Sequence, residues 1–237
     1  MSAIQIRSCR TCGLQGLCLP QELGAADTVR LAECMEHRDG IPLGTVLFRE
    51  GEEVAGAYMV HAGTVATYRT DPAGGFRISD FWGPGSLLEG EGLDTGRHTT
   101  TAKALESLDL CLLPMAAYEL LLQEVPRLDN SLLRIAGQTL NRKQATRALW
   151  RCRGGREAVH RFLLALASGY ASEGPGFLEV SWLTRLVLPR EELCSHLELE
   201  DAELEKAIEE ESLCGRVRLE GDNLVVPDVG ALAPRLS

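Results

Sequence analysis

The chain has 237 residues, a formal net charge of −10, 45% hydrophobic residues and 24% charged residues, the proportions of a globular, water-soluble protein. No stretch approaches the roughly 18 uninterrupted apolar residues of a membrane-spanning helix, and the opening MSAIQIRSCR lacks the basic start and apolar run of a signal peptide. We therefore expect a protein of the reducing cytoplasm, with no membrane partner, whose eight cysteines do not imply a disulfide framework.

The leader contains three closely spaced cysteines, Cys9, Cys12 and Cys18, in the stretch CRTCGLQGLC. Clustered cysteines in a reducing compartment more often bind metal or carry out redox chemistry than pair with each other. Other cysteines stand alone in the sequence, and we expect each to be a small, mostly buried apolar residue: Cys34, Cys152, Cys194 and Cys214.

Short strands are predicted from about Thr45 to Pro114. Apolar and polar residues alternate there, and Gly or Pro interrupts the pattern every eight to twelve positions. Residues 107–114, SLDLCLLP, are typical of a buried strand that ends at its proline. The whole segment predicts an all-β barrel or jelly roll.

A long helix is predicted after Pro126, because apolar residues recur at helical spacing and no Pro or paired Gly interrupts them before Gly154-Gly155. Its apolar stripe is narrow, as in helices that pack against a copy of themselves. The alternative is a helix that lies on its own barrel. We expect a homodimer, held by five residues of the stripe: Leu132, Ile135, Ala136, Leu140 and Leu149.

The last third of the chain predicts a winged helix–turn–helix. A second amphipathic helix lies in REAVHRFLLALASGYASEG and ends by Gly174-Pro175. Two further helices follow in REELCSHLELEDAELEKAIEEESL, with a break near 198–200, and GRVRLEGDNLVVPD is a hairpin.

This order of elements resembles the CRP/FNR superfamily of bacterial transcription regulators over roughly residues 9–228. Residues 44–68 look like the first hairpins of the family's β-roll. The resemblance implies an α+β fold: a cysteine-rich leader (1–22), a cyclic-nucleotide-binding-like β-roll (23–126), a dimerisation helix (127–152) and a winged helix–turn–helix domain (153–237).

Two features resemble the oxygen-sensing FNR branch: the Cys-x2-Cys-x5-Cys spacing of the leader, and Cys111 on the strand before a proline. The resemblance implies that Cys9, Cys12, Cys18 and Cys111 hold an oxygen-labile [4Fe–4S] cluster whose presence favours the DNA-binding dimer. Four thiolates are the usual ligands of such a cluster. Zinc is the minor alternative, because its sites usually show two Cys-x2-Cys pairs and the leader has one. Unliganded or disulfide-forming thiols are a third interpretation.

Cyclic nucleotide, the other ligand of this fold, is not expected. His98-Thr99 occupies the place where the family carries an Arg-Ser pair, although Arg97 is one position away. The five histidines show no ligand or triad spacing, so we expect no enzymatic activity.

The recognition helix departs from the family. Residues 198–211 hold eight acids and one lysine, which opposes binding to phosphates. Ala202, Glu205 and Lys206 stand where the FNR branch reads Glu, Ser and Arg, and Glu198 replaces the turn glycine. The weak candidates for nucleic-acid contacts are cationic: Lys206, Arg190, Arg216 and Arg218.

Residues 134–161 run the other way, with seven Arg and one Lys against Glu157. Within it, Arg142–Arg161 could grip the DNA backbone, or the acidic helix could dock on this stretch and lock the two domains together. A third option is that the acidic surface meets a basic protein. Two functions follow. One is a redox-responsive transcription regulator, with RNA polymerase or another protein as a further partner. The other is an interaction protein that has lost sequence-specific DNA binding and acts through partners, including heterodimers with a DNA-binding relative.

Overall fold

The computed structural model describes residues 8–15, 18–70, 76–88, 90–149, 155–168, 186–221 and 223–227. Within these ranges, none of the helices combines the length and apolar character needed to cross a membrane. The leader has turns at 9–11 and 13–15 and leads into a short 3-10 helix, Leu19–Glu22. Helix α1, Ala25–Cys34, follows.

The described strands of the first half form two four-stranded antiparallel sheets. One sheet has the order β1 (Glu36–Ile41), β8 (Leu108–Pro114), β3 (Gly56–Ala62) and β6 (Leu87–Leu88). The other has the order β2 (Val46–Phe48), β7 (Thr101–Ala104), β4 (Val65–Thr70) and β5 (Phe76–Trp82). Helix α2, Gly90–Thr95, precedes β7.

Side chains from both sheets share one buried core, which includes Phe48, Tyr58, Val65 and Trp82. Burial alternates along β7 and along the first residues of β8, as the pattern of apolar and polar residues predicted, whereas residues 56–60 of β3 are buried on both faces. The predicted β-roll is confirmed.

Helix α3, Met115–Glu124, connects the β-roll to the long helix α4, Arg127–Leu149. Leu128 and Ile135 of α4 are buried against the 3-10 helix, α1 and α3 of the same chain. Leu132 is half-buried beside them, whereas Ala136 and Leu140 are exposed. The side chain of Leu149 lies outside the described part of the chain. The stripe that the sequence assigned to a partner helix is thus divided between the chain's own core and solvent.

The winged helix–turn–helix is present in the described residues. It comprises α5 (Gly155–Ser168), β9 (Leu186–Pro189), α6 (Arg190–Leu197), α7 (Asp201–Leu213), β10 (Arg218–Glu220) and β11 (Asn223–Val226). The strands form an antiparallel sheet in the order β10-β11-β9. The predicted helix break and hairpin are confirmed, whereas the sequence analysis missed β9, which extends the wing.

The winged domain packs directly on the β-roll. Phe81 of β5, Phe162 of α5 and His196 of α6 form a cluster of rings with centroids 5.4–5.8 Å apart. The Tyr68 hydroxyl donates a hydrogen bond to Glu192 Oε1 at 3.0 Å, and the Val187 amide donates one to Thr64 Oγ1 at 3.0 Å.

Candidate metal centre

Cys111 occupies the middle of β8, a strand that is paired on both sides. It lies opposite His37 of β1 and opposite Met59 of β3 in the two ladders. A strand with ladders on both edges has its backbone hydrogen bonds satisfied and moves little. Cys111 is therefore a fixed point of the site.

The leader reaches the same place by local hydrogen bonds rather than by sheet pairing. The Gln15 side chain donates to the Cys9 carbonyl at 2.6 Å, and the Cys18 amide donates to the Leu14 carbonyl at 3.0 Å. Leu14 and Leu19 are buried. These two leucines anchor the ends of the described turns and hold the three cysteines over the sheet.

Cys9, Cys12, Cys18 and Cys111 line one cavity. Its apolar walls include Leu14, Met35, Met59 and Val60, and two imidazoles border it: His37 and His61. Burial raises the pKa of the Cys18 thiol well above its usual value, and the nearby Cys111 raises it further. Burial and Cys12 likewise raise the pKa of Cys9. The four thiols of the proposed ligand set are therefore close enough to influence one another.

The donor set fits an iron–sulfur cube. Among the described side chains, no three Cys, His, Asp or Glu are grouped tightly enough to hold one metal ion. In a cube each thiolate binds a different iron, so four thiols can be spread around one cavity. Soft sulfur ligands and apolar walls are the surroundings that such a cluster takes.

Other cysteines lie away from this cavity. Cys34 and Cys194 are half-buried beside apolar clusters, broadly as expected. Cys214, however, is exposed. It caps the end of α7, where no second element covers it in the described chain. Cys152 lies outside the described residues.

The sequence analysis missed His37 as a neighbour of the site. Its Nδ1 lies 3.3 Å from the Cys111 sulfur, although the two residues are 74 positions apart. Histidine spacing along the chain could not reveal this contact, because it depends on the register of β1 against β8. Only a prediction of how β1 pairs with β8 could have placed His37 beside Cys111.

At the place expected for an Arg-Ser pair, both neighbouring side chains make local contacts. His98 is buried and stacks on Phe48, with ring centroids 3.7 Å apart and planes 6° apart. Arg97 is exposed and donates to the Gly51 carbonyl at 2.8 Å. His98 therefore belongs to the packing of the β-roll.

The three residues aligned with the family's base-reading positions, Ala202, Glu205 and Lys206, lie on the exposed side of α7. The arginines suggested for nucleic-acid contacts pair with acids nearby. Arg190 contacts Asp201 and Glu205. The remaining two pairs are Arg216 with Glu211 at 2.9 Å and Arg218 with Glu220 at 2.6 Å.

Part of the acidic charge of α7 is compensated from α5. Arg156 contacts Glu210 at 2.9 Å, and His160 contacts the buried Glu211 at 3.1 Å. The helices approach closely, since a Cβ at Gly155 would lie 2.9 Å from the Glu203 carbonyl oxygen. The end of the basic stretch therefore contacts the acidic helix within the winged domain. This contact differs from the expected docking that would lock the two domains together.

Residues 40–125 match the family model of the cyclic nucleotide-binding domain. The transcriptional activator protein FnrA of Stutzerimonas stutzeri is 28% identical over 166 residues, which are 70% of this chain and 68% of that protein. The fumarate and nitrate reduction regulatory protein of Salmonella typhi is 24% identical over 225 residues, 95% of this chain and 88% of that protein.

The solved structure of FixK2 from Bradyrhizobium japonicum has the same fold, with a TM-score of 0.61 and 18% identity over 86% of this chain and 99% of that one. Together with the β-roll, the long helix, the winged domain and the cysteine cavity, these matches support assignment of the chain to the CRP/FNR superfamily and, within it, to the FNR branch.

Proposed function

We propose that this protein is an oxygen- or redox-responsive transcription regulator that binds a [4Fe–4S] cluster through Cys9, Cys12, Cys18 and Cys111. The observation that supports it is the shared cavity, in which three thiols of the leader meet one thiol of β8. The bound cluster would supply the oxygen-sensitive chemistry. The relatives named as activators support the regulatory role.

The leader has a direct connection to the long helix. Leu19, which follows Cys18, is fully buried in a cluster with Leu128 and Ile135 of α4. Three residues further on, Glu22 pairs with Arg134 of α4 at 2.7 Å. Positioning of the leader by its cysteines therefore positions α4, on which we place the dimer contact. Cluster binding would control dimerisation by this route.

Anaerobic purification tests the ligand set. We expect a brown protein with about four iron and four sulfide per chain, and a Cys111→Ser variant that loses the colour as fully as Cys9→Ser. Cys214→Ser is the matched control, since Cys214 is exposed and outside the cavity. Light scattering should show a dimer before exposure to air and a smaller species afterwards.

Two results would contradict the proposal. A colourless protein that contains zinc would remove the redox role. A Cys111→Ser variant with a full cluster would show that the fourth ligand is a different residue.

A second candidate function is an interaction protein without sequence-specific DNA binding, favoured by the outer face of α7. Glu205 and Glu209 are exposed there beside Lys206. Like charges at the phosphate backbone oppose binding, and base contacts of about 1–3 kcal/mol each offset little of that.

Binding of the anaerobic protein to random duplex DNA at falling salt separates the two candidates. A regulator should show a steep salt dependence, with a slope of about −0.9 per phosphate neutralised. Glu209→Gln should strengthen binding at fixed salt, whereas Glu119→Gln, an exposed acid on α3, should not. No binding at low salt would favour the interaction protein.

A further inference from the structure

We propose that His37 donates a hydrogen bond to the Cys111 sulfur and thereby prolongs the lifetime of the bound cluster. This inference rests on the proposed function, because it concerns the ligand that β8 supplies. The Nδ1 atom of His37 lies 3.3 Å from the sulfur, a short distance for a hydrogen bond to sulfur.

Strand pairing fixes the contact. His37 and Cys111 are direct partners in the antiparallel ladder of β1 and β8, with Glu36 opposite Leu112 and Arg38 opposite Leu110 on either side. Directly opposed side chains of such a pair have Cβ atoms about 4.5–5.5 Å apart on one face of the sheet. The contact thus needs no ordering of the leader and exists before any cluster binds.

The partner of Cys111 on its other side cannot replace this donor. Met59 of β3 lies opposite Cys111 and is fully buried, and its thioether has no hydrogen to donate. Of the two residues directly opposite Cys111, His37 is therefore the one whose side chain can donate to its sulfur.

The hydrogen bond from His37 would stabilise a bound cluster because the cavity around it is largely apolar. A cluster with four thiolates carries negative charge into a cavity walled by leucine, methionine and valine. An apolar wall leaves such charge poorly solvated, so one N–H directed at the sulfur stabilises the bound form. A neutral imidazole with its proton on Nδ1 is sufficient, and no change of protonation is required.

Hydrogen bonds to cluster sulfurs also set the reduction potential. The reduced cluster carries one more negative charge than the oxidised cluster. A donor therefore stabilises the reduced form more, and its removal should shift the midpoint potential to more negative values. A side chain that only filled space would leave the potential unchanged.

The test compares His37→Leu, which removes the donor, with His37→Asn, whose amide nitrogen stands near the position of Nδ1. Arg38→Leu is the matched control, because it changes the next residue of the same strand. Arg38 points away from the cavity, with its guanidinium 6.0 Å from the Tyr58 ring centre. The measurements are iron release from the anaerobic protein to a chelator and the midpoint potential.

We expect iron release from His37→Leu to be about tenfold faster, the lower end of the usual effect of such outer partners on metal affinity, with a more negative potential. His37→Asn and Arg38→Leu should match the wild type. Unchanged release and potential in His37→Leu would overturn the inference, and so would equal losses in His37→Leu and His37→Asn.

Failure of the proposed function looks different. In that case the wild-type protein itself holds no iron and sulfide after anaerobic reconstitution, and the inference falls with it. If the wild type is loaded and the variants do not differ from it, the ligand set stands and the role of His37 alone is wrong.

Discussion

Glu198, between α6 and α7, has a left-handed backbone with φ 55° and ψ 42°. Among the described residues it is the one with a side chain at positive φ; the others are glycines. A residue with a Cβ adopts this conformation at a cost of about 1–2 kcal/mol. Glycine adopts this conformation without that cost, and the family resemblance implies a glycine at this position.

Glu198→Gly should raise the free energy of unfolding by about 0.5–1 kcal/mol. Relief of the left-handed strain exceeds the extra entropy that glycine gives the unfolded chain. Urea denaturation measures the change. Glu200→Gly is the control: Glu200 has φ −70°, where glycine brings no relief and should lower stability.

The family resemblance placed Glu198 where a turn glycine is expected, and the left-handed backbone at this position is consistent with that alignment. It also indicated that Cys9, Cys12, Cys18 and Cys111 would lie together, and these four residues line one cavity. It did not predict the neighbour of Cys111, since His37 reaches the sulfur through strand register. Side-chain identity along the chain carries little information about register.

Helix α4 has two apolar sides, one buried in the core of its own chain and the other exposed. Ile135 is 4% exposed and belongs to the core of its own chain, whereas Leu133 and Leu140 are 70% and 55% exposed. Helical spacing predicted the length and amphipathic character of the helix. It could not say which apolar residues meet the same chain, because burial against a partner and burial in the core give the same period.

Leu140→Glu should convert an anaerobic dimer into monomers and leave the stability of the monomer nearly unchanged. A charge at an exposed apolar position costs little in the single chain but opposes packing against a second helix. Sedimentation velocity gives the oligomeric state, and urea denaturation of the air-exposed protein gives the stability.

Ile135→Ala provides the contrast to this variant. It removes buried methyl groups and should lower stability by about 2–4 kcal/mol. A dimer that survives Leu140→Glu would place the contact between subunits elsewhere on the chain.

The β-roll and the winged domain contact each other through aromatic and imidazole rings. His196 of α6 lies against Phe81 and Phe162, with its Nδ1 3.3 Å from the Ile78 carbonyl oxygen. Burial lowers the pKa of His196, although Asp80 and the hydrogen bond to Ile78 act in the opposite direction. The docked arrangement therefore favours the neutral imidazole.

Stability should fall as the pH drops below about 6.5, the usual pKa of an unfolded histidine. Below that pH the unfolded chain binds a proton at His196 that the folded chain resists, so the contribution of this residue is complete above pH 6.5 and declines beneath it. Urea denaturation of the wild type and of His196→Asn at a series of pH values measures the effect.

The decline should be smaller in His196→Asn. Ile135→Ala is the control, since Ile135 belongs to a different core cluster from the rings around His196 and its loss should lower stability equally at each pH. Equal slopes in the wild type and His196→Asn would exclude His196 as the source.

The sequence was least informative about the contact between the β-roll and the winged domain. It predicted both domains from their separate periodicities, yet nothing in residues 76–82 or 190–197 indicated that these segments touch. Domain contacts combine residues that each look like ordinary surface or core within their own element. The charge segregation did indicate an internal contact, which α5 and α7 supply.

The four thiols of the proposed cluster site are anchored unequally. The leader with Cys9, Cys12 and Cys18 is held by two buried leucines, whereas Cys111 belongs to a strand that is paired on both edges. Loss of a bound cluster would therefore begin at the leader thiols. Cys111 would be the fixed ligand at which reassembly starts.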